Sequence, residues 1–252
     1  MRHAGRAALV TGAGAGIGRA IAERLAADGA AVAVNDLSPE DAARTVEAIE
    51  RTGGRAVAVP GDVSAEADVA RLVRACVDAF GGLHVAVSNA GYGDRVPFLD
   101  TTLESWNTQL ATDLTGVFLV CREAGRHMRD AGGGVLVNVS SVHQHRPWPD
   151  AAAYCTAKAG VGMLTACAGR DLARYGIRAV AVAPGAIGTE ANLEEHGGLT
   201  SDAIRAEVPA GRMGTPEEIA GVVSWLAGDE AGYVTGTTVV VDGGFETFGP
   251  SV

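Results

Sequence analysis

Three residues in the second half of the chain have the types and spacing for proton transfer at a carbonyl oxygen. Tyr154 and Lys158 stand four apart in an alanine-rich helical run, so they share one helix face. Ser141 precedes Tyr154 by thirteen residues, at the end of the strand-like run Val135 to Val139. Reduction of a carbonyl, or oxidation of an alcohol, needs a partner that gives or takes the oxygen's proton. Tyrosine does this when its pKa of about 10 falls by two to three units, which needs about 3 to 4 kcal/mol of preference for phenolate. A neighbouring ammonium in a partly dry cleft supplies such a preference. The Ser141 hydroxyl would hold and polarise the substrate oxygen.

The elements around these residues form a repeating pattern. "RAALVTG", "AAVAVND", "RAVAVPGDV", "LHVAVSNAG", "GVLVNVSS", "IRAVAVAPG" and "TTVVVDGG" read as seven strands. Helical patterns fall between them, including a long helix over roughly 104 to 130, another over 151 to 175, and one from Thr215 to about Ala227. Ser38-Pro39-Glu40-Asp41 and Thr215-Pro216-Glu217-Glu218 are helix starts, with a capping hydroxyl, an early proline and acids in the first turn. Strands nearly continuous in Val and Ala are covered on both faces. The alternation predicts an α/β fold of Rossmann type: a doubly wound, seven-stranded parallel sheet with helices on both faces. Ligands of such sheets sit beyond the carboxyl ends of the strands.

The first of those ends reads "TGAGAGIG", Thr11 to Gly18. Its glycine spacing is Thr-Gly-x3-Gly-x-Gly, with Gly12, Gly16 and Gly18 around Ile17, opening a helix whose amides suit a pyrophosphate. At the end of the second strand, Asp36 can accept hydrogen bonds from a ribose 2′-hydroxyl and would repel a 2′-phosphate. Ala15 brings no compensating charge, and Arg19 lies after the last glycine, so NAD is favoured over NADP.

Composition narrows the alternatives. The chain has 252 residues, 47% hydrophobic, with no linker or repeat to divide it, which suits one domain over 1–252. A formal net charge of −10 argues against nucleic acid, and no apolar run approaches a membrane span. The N-terminus lacks the apolar core of a signal peptide. Cys76, Cys121, Cys155 and Cys167 have no CxxC spacing and read as reduced, buried or half-buried thiols of a cytoplasmic protein. His143-x-His145 has no matching acid or cysteine cluster, so no metal is expected.

Taken together, "TGAGAGIG", "SNAG" (88 to 91), Ser141…Tyr154-x3-Lys158 and "PGAIGT" (184 to 189) resemble the short-chain dehydrogenase/reductase family in order and spacing, over essentially the whole length. The resemblance implies an NAD-binding half over about 1–135 and a catalytic and substrate part over about 136–252. It implies cofactor contacts from the glycine loop, from Asp36 and Leu37, and from Asp62 and Val63 at the adenine. Asn89, Ala90 and Gly91 would lie near the nicotinamide ribose, whose hydroxyls Lys158 would grip beside Tyr154. Pro184, Gly185, Ile187 and Thr189 would hold the nicotinamide. Family spacing selects Ser141 over Ser140. It also implies a homotetramer that buries the two long helices; Val117, Phe118, Val161 and Leu164 fit that burial and equally fit packing on the sheet. Phe245 and Phe248 would pack across a subunit boundary or over the cleft.

One position departs from the family. Where an Asn usually completes a catalytic tetrad, "ATDLTG" places Asp113. A backbone role survives the change. Its carboxylate would either strengthen Lys158 as a cation or draw its charge from the tyrosine, and activity is expected to be kept.

For the substrate, "SSVHQHRPWPDAAAY" and "PGAIGTEANLE" are similar to bacterial glucose 1-dehydrogenases. The resemblance implies a sugar or polyol beside Ser141, His143, Trp148 and Tyr154, although His143 equally serves to pack or cap the loop. That branch usually carries a glutamate where this chain has Gly93, with Asp94 one step later. The segment of about 190–213 is expected as a substrate lid. The alternatives are a 3-oxoacyl-thioester or hydroxysteroid oxidoreductase of the same family, and a catalytically idle NAD-binding regulator.

Overall fold

The computed structural model describes residues 1–190, 192–193 and 202–246. The seven strands are β1 (Ala7–Val10), β2 (Ala31–Val34), β3 (Arg55–Ala58), β4 (Val85–Ser88), β5 (Gly134–Val139), β6 (Ile177–Pro184) and β7 (Thr237–Val241). All neighbours pair in parallel, in the order β3-β2-β1-β4-β5-β6-β7. The order reverses between β1 and β4, which opens a crevice beyond their carboxyl ends. The expected seven-stranded doubly wound sheet is present.

Successive strand residues face opposite layers. Ala8, Val10, Val32, Val34, Val85 and Val87 pack under α1 (Gly16–Ala27) and α8 (Pro216–Ala227), meeting Ile21, Leu25, Ile219 and Val223. Leu9, Ala33, Ala86 and Leu136 face α3 (Glu66–Phe80), α5 (Gly116–Ala131) and α6 (Ala152–Leu172). Burial on both faces explains the unbroken Val/Ala runs. Val117 and Val161 belong to this second layer, whereas Phe118 is exposed and Leu164 only partly buried.

Helix starts follow local chemistry. Ser38 caps α2 (Pro39–Arg51) by accepting the Asp41 N–H, and Thr215 and Glu218 form a reciprocal capping box at α8. The helix expected over 104 to 130 is instead α4 (Leu103–Leu110), a π-helical turn over Ala111–Thr115, and α5. Its pattern carried no sign of the extra residue, because the widening sits on Asp113, whose partner is distant in sequence. All four cysteines are free; Cys167 is exposed, against the expectation of burial, because it lies on the outer face of α6. No helix among the described residues is long and apolar enough to cross a membrane.

The N-terminal turn is fastened to α8 through a buried histidine. His3 is 0% exposed, with Nε2 3.1 Å from both the carbonyl and the hydroxyl oxygen of Ser224, while Ser224 donates to Asp28. Burial, reinforced by Arg6, pushes the His3 pKa below its ordinary value of 6.5. Between that lowered value and 6.5 the unfolded chain binds a proton that folded His3 does not. Stability therefore falls as pH drops below 6.5 and is insensitive to His3 above it. His84 and His143 are shifted in the same direction by burial and add to the slope. Thermal unfolding of His3→Gln between pH 5 and 7 is expected to show a shallower loss of stability than the parent; an identical slope would refute the assignment.

Candidate active site

At the switch point the loops after β1 and β4 are stitched together. Thr11 Oγ1 accepts the N–H groups of Asn89 and Ala90 at 3.0 and 3.1 Å. Asn89 Nδ2 donates to the Thr11 and Gly12 carbonyls, both at 3.0 Å. The Asn89 amide nitrogen thus ties the two loops together. Gly18 lies so close to this backbone that a Cβ would stand 2.0 Å from the Gly12 oxygen.

The glycine loop leaves the first turn of α1 open. Its N-cap, Ala15, makes no side-chain cap bond, so first-turn amides are available to an anion. Gly16, at φ +53°, faces Thr189, whose Cγ2 would be 3.3 Å from a Cβ there. Thr189 follows Pro184, the last residue of β6, while Gly185 is tied to Val241 and Ile187 is buried. Asp36 is held by two backbone N–H groups, Gly14 at 2.9 Å and Ser38 at 3.1 Å, with Leu37 exposed beside it. Arg19 is ion-paired with Glu23 at 2.8 Å. Asp62 accepts from the Ser64 N–H and hydroxyl, and Val63 is buried against Gly116. Open amides, a held acid and an enclosing threonine fit a dinucleotide.

Beyond β5 the two serines separate in role. Ser140 Oγ donates to the Lys158 carbonyl at 3.0 Å and so pins the strand end to α6. Ser141 Oγ accepts the His143 N–H at 3.1 Å, which leaves its own hydrogen to be donated elsewhere. Lys158 is 4% exposed; its Nζ lies 5.5 Å from the centre of the Tyr154 ring and 3.0 Å from Asp113 Oδ1. Burial works against the ammonium, but the Asp113 carboxylate and Tyr154 outweigh it and hold the Lys158 pKa above its usual value. Asp113 Oδ2 accepts from Gln109 Nε2 at 2.7 Å and from the Tyr92 N–H at 3.3 Å. Gln109 was not expected from the sequence; its position one helical turn before Asp113 was the available signal.

The insert between Ser141 and Tyr154 forms an aromatic wall. His143 stacks on Trp148 with centroids 5.0 Å apart and planes 6° apart, and both meet Tyr154 edge-on, at 6.4 and 5.9 Å. His143 Nδ1 is 3.0 Å from the Arg146 carbonyl, so it carries the hydrogen and leaves Nε2 as an acceptor. Burial lowers the His143 pKa and favours this neutral form. His143 therefore both packs and caps its loop. Arg95 lies over Trp148, and Gly93 approaches it so closely that a Cβ would stand 3.2 Å from the ring.

Phe245 lies edge-on to His143 and under Arg146, and Glu246 pairs with His145, so this segment covers the insert within one chain. Phe248 lies outside the described residues. So do residues 191 and 194–201 of the expected lid. The described remainder includes α7 (Asp202–Glu207), and Ile204, Val208 and Met213 pack with Ala186, Leu193 and Phe245. Replacing Gly18 by Ala forces backbone apart and is expected to cost about 1–3 kcal/mol; an unchanged melting temperature would contradict that packing.

Comparison with known proteins agrees with this geometry. The family described as enoyl-(acyl carrier protein) reductase matches residues 12–246. The chain is 43% identical over 247 residues to 3β-hydroxysteroid dehydrogenase 1 of Eggerthella lenta, covering 97% of this chain and 95% of that one. It is 39% identical over 248 residues to glucose 1-dehydrogenase 2 of Bacillus subtilis, with 97% and 96% covered. A solved structure of 7α-hydroxysteroid dehydrogenase, complexed with NADH and 7-oxo glycochenodeoxycholic acid, superposes with a TM-score of 0.91 at 30% identity, covering 97% and 95%. The chain belongs to the short-chain dehydrogenase/reductase family and is an oxidoreductase acting on CH–OH groups.

Proposed function

We propose that the protein oxidises a ring-borne secondary alcohol with NAD, and reduces the corresponding carbonyl in reverse, with Tyr154 as acid and base. The buried Lys158 ammonium beside the Tyr154 ring carries this reading. Bound NAD supplies the hydride acceptor. Ser141 donates its free hydroxyl hydrogen to the substrate oxygen and orients it. Tyr154 takes the alcohol proton at its phenolic oxygen, and Lys158 favours the phenolate and grips the ribose hydroxyls.

NAD is preferred to NADP because both Asp36 oxygens are fixed by backbone donors, and Arg19 is engaged by Glu23. A 2′-phosphate would meet a held carboxylate with no free cation from Arg19. Gly12, Gly16, Ile17 and Gly18 would carry the pyrophosphate. Leu37, Asp62 and Val63 would flank the adenosine. Ala90, Gly91, Pro184, Gly185, Ile187 and Thr189 would enclose the nicotinamide side.

The substrate is a sugar or polyol, whose CH face would lie on the His143–Trp148 wall while Nε2 accepts a hydroxyl. A hydroxysteroid is the second reading, favoured by the likeness to the Eggerthella lenta enzyme and by Phe245 on the same wall. We further propose a cytoplasmic homotetramer. Its contacts would use apolar side chains left exposed on and before α4 and on α5 and α6: Phe98, Leu99, Leu103, Phe118 and Met163.

A panel of sugars, polyols and hydroxysteroids, run with NAD and NADP in parallel, is expected to give turnover with a cyclic alcohol and preference for NAD. Tight NAD binding without turnover on any alcohol would favour a regulator instead. Tyr154→Phe should lower kcat by about 10²–10⁴-fold with cofactor affinity kept; retention of more than a tenth of the parent rate would exclude Tyr154 as the acid and base.

A further inference from the structure

The Asp113 carboxylate occupies a built site. It is fully buried, and three elements supply its surroundings: Lys158 from α6, Gln109 from α4 and the Tyr92 N–H from the loop after β4. Gly91 is part of the same fit, since a Cβ there would lie 2.4 Å from Asp113 Oδ1 and 3.3 Å from Lys158 Nζ. The π-helical turn brings this carboxylate onto the ammonium, and the Val139 carbonyl accepts from Nζ at 3.4 Å.

We propose that Asp113 is a positioning residue that holds Lys158 as half of a buried ion pair and thereby sets the pH range in which Tyr154 exchanges its proton. Opposite charges 3.0 Å apart act on a third group as a dipole, which is weaker than a lone ammonium. The phenolate of Tyr154, with its ring centre 5.5 Å from Nζ, therefore receives less stabilisation than the ammonium alone would provide. The pair keeps Lys158 charged and in place, at the cost of moving alcohol oxidation toward alkaline pH. This answers the question raised by the departure at position 113: the carboxylate both strengthens the cation and draws its field from the tyrosine.

Among the described residues, the titratable groups facing Lys158 and Tyr154 are few. They are Asp113 from the π turn, Tyr92 from the loop after β4, and His143 from the insert. Burial, with help from Asp113 and Asp94, raises the Tyr92 pKa, while burial lowers that of His143. Both are neutral through the working range. Arg95 lies over the Trp148 ring.

The inference rests on the proposed role of Tyr154, so its test uses two readouts. The first is the pH profile of kcat/KM for alcohol oxidation in the parent and in Asp113→Asn. The acid limb is expected to move about one unit toward lower pH, giving roughly tenfold faster oxidation at pH 7 with a similar alkaline plateau. The second is the ultraviolet tyrosinate titration of the enzyme without substrate, with the Tyr154→Phe signal subtracted. Tyr154 should ionise at lower pH in the Asn variant, and this decides the inference even if no alcohol in the panel is turned over.

Asp113→Ser, which leaves room for a water at Nζ, should shift both readouts in the same direction. Unmoved or alkaline-shifted titrations would overturn the proposal. So would a hundredfold rise in the plateau rate of Asp113→Asn, which would mean that Asp impairs the chemistry rather than tuning its pH. Loss of folding in both neutral variants would assign the pair to stability alone and overturn it equally.

Discussion

An ammonium buried to 4% exposure must be met by polar partners, and the surroundings of Lys158 are organised by that requirement. Stranding one member of a buried ion pair costs about 3–5 kcal/mol, a large share of a domain's net stability. The carboxylate that meets it comes from a helix distant in sequence from Lys158, and it sits in the π turn of that helix. The backbone after β4 must stay free of a side chain at Gly91 to admit it. The end of β5 is tied to the same lysine twice, through Ser140 and through the Val139 carbonyl. Three segments thus converge on the lysine that α6 presents, and Ser141 and Tyr154 are placed as neighbours of that convergence.

Much of this arrangement was legible in the chain. Strands buried on both faces leave an unmistakable Val/Ala signature, and the hydroxyl caps at Ser38 and Thr215 act within one turn of themselves. The glycine loop and the Tyr154/Lys158 spacing are likewise local. What escaped was determined by partners far along the chain. Nothing in "ATDLTG" announces a π turn, and the partner that Asp113 meets from it, Lys158, lies on another helix. The contact between Arg146 and Phe245 spans 99 residues, so the sequence could not choose between the two places offered for that ring. The use of the Asn89 amide also escaped, because the Thr11 and Gly12 carbonyls that accept from it lie on another loop. Val117 and Val161 were ambiguous for another reason, since an apolar helix residue looks the same whether a sheet or a subunit covers it.

The aromatic wall adds a different kind of constraint. The stacked rings meet one side of the Tyr154 ring edge-on. Neutral His143, anchored through Nδ1, contributes a fixed acceptor without adding a charge that would compete with Lys158. Polarity and charge are therefore assigned to separate faces of Tyr154: a hydrophobic face from the insert and an ionic one from α6 and the π turn.

The insert is also clamped at its borders. At one end Ser140 holds α6; at the other the Asp150 carbonyl accepts the Val96 N–H at 2.6 Å, and the Trp148 N–H reaches the Cys155 sulfur. The Ser140 hydroxyl also lies 2.9 Å from Gln144 Oε1, whereas the other two clamps use no side chain of His143, Gln144 or His145. Under the proposed function, a change of composition in the middle of such a segment would alter the alcohols admitted, while Ser141 and Tyr154 on either side keep their positions. One fold can thereby diversify toward sugars or sterols by local substitution, with Gly93 and Trp148 changing together because they share one contact.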